Sequence, residues 1–279
     1  MVSPLKRYSP RKSGPACLPG NPAEETLVRR FFVEKIPAEE GSVTIAGSEA
    51  RHITRVLRMG PGDRFVLLDR RGLRFQVVIR STEQGVVTVF LERPLPSPPA
   101  SPVQLFIGQA VLKSGAMDLV IQKTTELGVN TIHPFISQRT VVRPREDKRA
   151  KRVKRWQDIA IAASKQSDRS RPPEITAVTT FTELLQRPFP EETLKIILWE
   201  EEEGRDLKST LRSTLDRSKA VLALVGPEGG FAPGEISRAQ EAGFRPVSLG
   251  PQILRAETAA IALGAVINYE SFTPKRKDT

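Results

Sequence analysis

The chain runs to 279 residues, 39% hydrophobic and 27% charged, an ordinary globular composition with enough apolar material for two compact domains. Its 43 Lys and Arg outnumber 32 Asp and Glu, giving a net charge of +11, and 29 of the basic residues are Arg. One cysteine, Cys17, and two widely separated histidines, His52 and His133, exclude an intrachain disulfide and a thiolate cluster, and leave neither a zinc site nor a histidine triad to expect.

Residues 1–27 are rich in Pro, Ser and Gly. Lys6, Arg7, Arg11 and Lys12 stand there with no acid before Glu24, which predicts a flexible basic extension. From residue 28 to Arg93 the pattern is mainly β. Val, Ile, Phe and Thr recur in Arg29–Val33, Ser42–Ile45, Arg64–Asp69, Leu73–Arg80 and Gly85–Glu92, bounded by Gly and Pro. A helix is expected over Ser48–Arg58, with Ser48 as N-cap and Gly60-Pro61-Gly62-Asp63 as the turn that ends it. Five short strands and one helix suit a small barrel. Five prolines between Pro94 and Pro102 predict a stiff linker over residues 94–102.

Beyond it, strands and helices alternate. Strands are expected at Val103–Gly108, Thr131–Ile136, Leu194–Trp199, Ala220–Val225 and Pro246–Leu249. Helices are expected at Gly115–Leu127, closed by Gly128, and at Glu146–Gln166, Pro233–Ala242 and Glu257–Tyr269. This predicts an α/β domain with a mostly parallel sheet over residues 103–273, then a basic tail at 274–279. The apolar runs, such as Ala259–Ile267, fall well short of the roughly 18 residues of a membrane span. With no secretory signal in view, a cytoplasmic protein is expected.

The strand ends carry the chemistry. Gly226-Pro227-Glu228-Gly229-Gly230 follows the strand Ala220–Val225 and leads toward a helix, a usual ligand position in open α/β sheets. It lacks the Gly-Lys-Ser/Thr of a P-loop and the Gly-x-Gly-x-x-Gly of a dinucleotide site, so a phosphate cradle is disfavoured and a nucleoside-like ligand read by backbone groups is expected. The second strand end leads through Leu249-Gly250-Pro251-Gln252-Ile253-Leu254-Arg255 into Ala256-Glu257-Thr258-Ala259. Ile253 and Leu254 can flank a flat base. Glu257 suits the positive end of a helix and has a capping role as its alternative, whereas Arg255 opposes the helix dipole there and points to function. Leu198-Trp199-Glu200 ends a third strand.

These stretches resemble the RsmE-type family of small-subunit (16S) ribosomal RNA uracil-N3 methyltransferases, within the SPOUT superfamily. The likeness also takes in Arg29-Arg30-Phe31-Phe32, Arg51-His52-Ile53-x-Arg55-Val56-Leu57-Arg58 with Gly62-Asp63, and Gln122-Lys123-x-x-Glu126-Leu127-Gly128-Val129. Pro134, Ser137-x-Arg139, Arg155-Trp156 and Gln166-Ser167-x-Arg169 complete it, over residues 28–270 in order. The resemblance implies a PUA-like barrel, a SPOUT α/β domain whose C-terminal segment threads a deep trefoil knot, and a homodimer. It implies S-adenosyl-L-methionine as cofactor, held by Leu198, Trp199, Glu200, Gly226, Pro227, Glu228, Gly229, Gly230, Leu249, Gly250, Ile253, Leu254, Arg255, Thr258 and Ala259. It implies methylation of uridine N3 in small-subunit ribosomal RNA. Glu228 or Glu257 is then a candidate base for the N3 proton, with bulk hydroxide as the alternative once that proton is acidified, and Arg255 a candidate partner for the uracil oxygen as charge develops.

An Arg excess suits nucleic acid, because the guanidinium grips phosphate through a fixed fork; a GC-rich coding sequence produces the same bias. Position sharpens the reading. Nine basic residues and two acids lie between Arg139 and Arg155, among them Arg143, Arg149 and Arg152. With Arg29, Arg30, His52, Arg55 and Arg58 on the barrel, and Lys165 and Arg169 beyond the long helix, they form the expected RNA surface. Two rivals remain: the same enzyme on another RNA base, and an RNA-binding assembly factor without catalysis. A nucleotide hydrolase is excluded by the missing P-loop lysine and metal ligands.

Overall fold

The structure is a computed structural model that describes residues 29–37, 41–97 and 101–272, apart from the side chain of Ser114. The expected extension at 1–27 and tail at 274–279 lie outside the described residues.

Strands β1 (Arg30–Val33), β2 (Ser42–Ile45), β3 (Arg64–Asp69), β4 (Arg74–Glu83) and β5 (Val86–Pro94) form one curled sheet in the order β1-β3-β4-β5-β2. All its pairs are antiparallel except β1–β3. Alternation places Phe31, Val43, Ile45, Leu67, Val77, Ile79, Val87 and Val89 in a single core. The helical segment differs from expectation. Helix α1 (Gly47–Arg51) lasts little more than a turn and widens into π-type turns over His52–Val56. Ser48 is not its cap: Ala46 holds that place, and Gly47 adopts a φ of +70° to start the helix one residue earlier. Ile53 stays fully buried while His52, Arg55 and Arg58 face solvent.

The second sheet comprises β6 (Gln104–Ala110), β7 (Thr131–Ile136), β8 (Glu174–Ile175), β9 (Thr179–Thr180), β10 (Thr193–Leu198), β11 (Ala220–Val225) and β12 (Arg245–Val247). Its order is β12-β10-β11-β6-β7-β8, with β9 also on β7, and every pair is parallel. All six residues of β11 are buried, as a central strand covered on both faces requires. Helices α2 (Ser114–Glu126), α3 (Glu146–Gln166), α5 (Leu207–Thr214) and α7 (Ala256–Ser271) give Met117, Ile121, Trp156, Leu211, Leu263 and Ile267 to one core. Helices α4 (Phe181–Gln186) and α6 (Pro233–Glu241) give Phe181, Leu184, Ile236 and Ala239 to the other. The short elements β8, β9, α4 and α5 were not expected, although Thr180 with Glu183, and Asp206 with Ser209, are ordinary start signals.

The barrel sits on α3. Phe32, Val66 and Leu68 pack with Ile161 and Leu95, Lys165 pairs with Glu49, and Asp168 meets Arg30 and Arg74. At the far side of this joint, Gly128 (φ +92°) closes α2, with Gly128 N–H donating to Thr125 O and Val129 N–H to Thr124 O.

Candidate cofactor pocket and nucleic-acid surface

Three parallel strands, β10, β11 and β12, end side by side, and their loops close on one cavity of about 500 Å³. The loop after β10 and the segment after β12 are stitched together: Trp199 N–H donates to Val247 O, Leu207 N–H to Ser248 O and Ser248 N–H to Arg205 O. This crossing is where the resemblance places the knot.

Glycines shape the wall. Gly230 has a φ of +66°, and a Cβ there would collide with the Glu200 carboxylate. A Cβ on Gly226 would press on the Phe231 ring at 3.2 Å. Under this wall lies Gln109, fully buried, whose Nε2 donates to Gly226 O at 3.4 Å while its Oε1 has no partner. Glu228 Oε1 accepts the Lys113 N–H at 3.3 Å, which ties the loop after β11 to the start of α2. Arg255 is exposed at the N-cap of α7, and Glu257 follows in its first turn.

Most of the expected cofactor residues line the cavity: Leu198, Trp199, Glu200, Gly226, Pro227, Glu228, Gly230, Leu249, Gly250, Ile253, Leu254, Arg255 and Ala259, with Glu257 beside them. Gly229 and Thr258 do not. Gly229 turns outward against Arg139, whose Nη1 donates to Gly229 O at 3.0 Å, and Thr258 is exposed on α7. Sequence reasoning missed Lys113 and Ala116. Lys113 and Ala116 follow the end of β6, the fourth strand of the row, so the rule that found the other loops could have found them.

The lining suits a nucleoside that carries a positive centre. Its charged members are three acids, Glu200, Glu228 and Glu257, against Lys113 and Arg255. Apolar Leu198, Leu249, Ile253 and Leu254 offer faces for a base, and the buried acceptor on Gln109 sits behind the glycine turn. Among the described residues no cluster of His, Cys, Asp or Glu could hold a metal ion, and no described helix is long and apolar enough to cross a membrane.

The expected RNA residues divide. Arg139 and Arg143 stand on the loop after β7, where Arg139 touches Gly229 of the loop after β11 and Arg143 Nη2 donates to Gln138 O at 2.9 Å. That loop is fixed by Glu235, a buried carboxylate that accepts Gln138 N–H at 2.8 Å and Ala232 N–H at 3.0 Å. Arg149 and Arg152 are half-buried on the first half of α3, Arg29 is exposed, and His52, Arg55 and Arg58 are exposed on the barrel. The other three have partners within the fold. Arg30 meets Asp168, and Lys165 pairs with Glu49 and lies over the Phe31 ring. Arg169 Nη1 donates to Thr125 O at 2.7 Å, which Gly128 N–H also reaches, and to Val129 O at 2.8 Å just past the end of α2. Burial draws the Arg169 guanidinium down to about 10, and it remains a cation at neutral pH.

Residues 99–268 match the model of an RNA methyltransferase domain family, and residues 45–90 that of an RNA methyltransferase PUA domain. The chain belongs to this RNA methyltransferase family. It is 30% identical over 249 residues to the ribosomal RNA small subunit methyltransferase E of Bacillus subtilis, covering 88% of this chain and 97% of that one. The Synechocystis protein of the same name is 34% identical over 246 residues, covering 87% and 78%. A solved structure of ribosomal RNA small subunit methyltransferase E from Neisseria gonorrhoeae, bound to S-adenosyl methionine, superposes with a TM-score of 0.79 at 31% identity, covering 88% of this chain and all of that one. In this RNA methyltransferase, Arg139 joins the loop after β7 to the glycine loop after β11.

Proposed function

We propose that this RNA methyltransferase transfers a methyl group from S-adenosyl-L-methionine to N3 of a uridine in small-subunit ribosomal RNA, acting on the assembled subunit in the cytoplasm as a homodimer. The observation that carries the reading is the cavity walled by Gly226–Gly230 and Leu249–Leu254, with backbone groups, apolar faces and an acidic excess but no phosphate cradle. S-adenosylmethionine, when bound, supplies a methyl group activated by its sulfonium.

The chain supplies the rest. Backbone groups of the glycine loop and of residues 249–254 hold the nucleoside, and Glu200 and Glu228 favour the positive centre. Neutral uracil carries a proton on N3 and must lose it before N3 attacks. Glu228 or Glu257, both on the cavity wall, receives that proton. Arg255, exposed at the mouth, faces the uracil oxygen on which negative charge gathers. Alignment of N3 with the methyl group comes from the RNA grip at Arg139, Arg143, Arg149 and Arg152 on one side and Arg55 and Arg58 on the other. A second copy is supported by exposed apolar side chains at both ends of α7, Ile253 and Leu254 just before it and Val266, Tyr269 and Phe272 toward its end.

The test is methyl transfer from labelled cofactor to small subunits that lack the modification, with nucleoside mass spectrometry. The expected product is 3-methyluridine. A different methylated nucleoside moves the target and keeps the enzyme; absence of both transfer and cofactor binding returns the chain to a non-catalytic RNA-binding role. With Arg255→Ala, the expected outcome is a kcat lower by about a hundredfold with cofactor affinity retained. A retained kcat with weakened cofactor binding makes Arg255 a loop residue only.

A further inference from the structure

Asp168 is badly placed for its own helix. It is the residue after the C-cap of α3, in the left-handed region with a φ of +56°, the position that glycine or asparagine fills at least strain. Arg169 N–H donating to Ser164 O completes the closing turn around it. Its negative charge also stands at the negative end of a 21-residue helix dipole. Two local costs at one residue call for a partner elsewhere.

The partners are on the barrel. Arg74 Nη2 donates to Asp168 Oδ1 at 2.8 Å, and Arg30 Nε lies 2.7 Å from the same oxygen. Arg74 is only 8% exposed and its Nε has no acceptor, so among the described residues Asp168 is the carboxylate that balances it. Arg30 stands on β1 and Arg74 on β4, so a single carboxylate ties two strands of the barrel to the end of α3. The next residue anchors that end. Arg169 is bonded to the last carbonyls of α2, and Ala116 in the first turn of α2 lines the cofactor cavity.

We propose that Asp168 is a positioning residue for RNA methylation: it locks the barrel at a fixed angle to the cofactor domain, so that RNA held by both is presented to the cavity in one register. The inference rests on the proposed RNA methylation for its consequence, and on contacts alone for the lock.

The test uses the full chain with Asp168→Asn and Asp168→Gly, both better suited than Asp to a left-handed site. Expected in both is a KM for small subunits raised about fivefold, with kcat and cofactor affinity held. Faster amide exchange is expected in β1 and in the turn at 69–73. A purely local role as helix cap gives the opposite result: thermal stability rises, exchange in the barrel is unchanged and KM stays. Faster exchange with an unchanged KM shows a joint without a role in presenting RNA and overturns the proposal as well. If the unsubstituted chain methylates no subunit, the reading of function fails, while exchange in the two variants still decides the lock.

Discussion

The two halves of α3 carry the same kinds of side chain to different ends. In the first half Arg145, Lys148, Arg149 and Arg152 lie opposite an apolar side; Arg145 and Lys148 are exposed, Arg149 and Arg152 half-buried, and Arg145 meets Asp147 at a loose 3.5 Å. Arg149 reaches back to Pro144 O at a loose 3.5 Å. In the second half and the turn after it, Lys165 and Arg169 are each taken up by an internal partner: a barrel glutamate, and a row of helix-end carbonyls. A cation close to an uncompensated acceptor within the fold is a structural part. A cation with water alone around it is available to phosphate. Residue type and spacing do not separate the two cases; the neighbour does.

The difference can be broken at four places. The largest effect is expected from Arg169→Met, which takes the guanidinium donors away from Thr125 O and from the Gly128 and Val129 carbonyls under cover. Stability should fall by roughly 3 kcal/mol in denaturant unfolding, with the RNA salt slope of the remaining folded protein unchanged. A loss of RNA affinity at full stability would return Arg169 to the RNA surface.

Next is acid. The two histidines repeat the contrast, His52 exposed on the barrel and His133 buried with Arg187 Nη1 at 2.9 Å from its Nδ1. Burial, reinforced by the Arg187 charge, pushes His133 down to about 4 from its ordinary 6.5. The unfolded chain therefore takes the proton first. The stability held by neutral His133 is complete above pH 6.5 and drains away as pH falls toward 4, by roughly 2–3 kcal/mol. His133→Gln should flatten the unfolding free energy across that window; an unaltered pH dependence in the variant assigns the acid lability to other groups.

Charge reversal at Arg149 and Arg152 should weaken RNA binding about tenfold and reduce the slope of log affinity against log salt by about 2, at an unchanged melting temperature. If the slope stays, the first half of α3 is not in the interface. The smallest effect is Lys165→Met, at about 0.5–1 kcal/mol of stability and no change in salt slope. A changed slope there would show that Lys165 leaves Glu49 for phosphate when RNA arrives.

How much of this the sequence disclosed follows from the range of the interactions. The parallel sheet was legible because its longer strands are mostly buried and read as apolar runs, and β7, α3 and β11 have the bounds that pattern alone suggests. The glycine loops were legible because a turn that needs positive φ selects a residue type. Elements of two to eight residues, such as β8, β9 and α5, hold too few side chains to show a period. Ser48 misled because a good capping residue lies one place inside a helix that Gly47 begins. Lys113 was missed because its place on the cavity wall depends on β6 lying beside β11, more than a hundred residues later. The internal partners of Lys165 and Arg169 were not legible for the reason that separates the halves of α3: charge is written in the sequence, and its partner is not.

Glu235 joins the turn at 137–140 and the start of α6 through one carboxylate, so the loop after β7 and the loop after β11 form a single rigid piece. Chimeras between relatives therefore have a natural unit of exchange. A graft of 137–140 alone, or of 226–235 alone, separates a carboxylate from the amides it was shaped to receive, whereas a graft of both carries its own fastening. Under the proposed function, exchanging the RNA contacts of Arg139 and Arg143 means transplanting two loops and the acid between them.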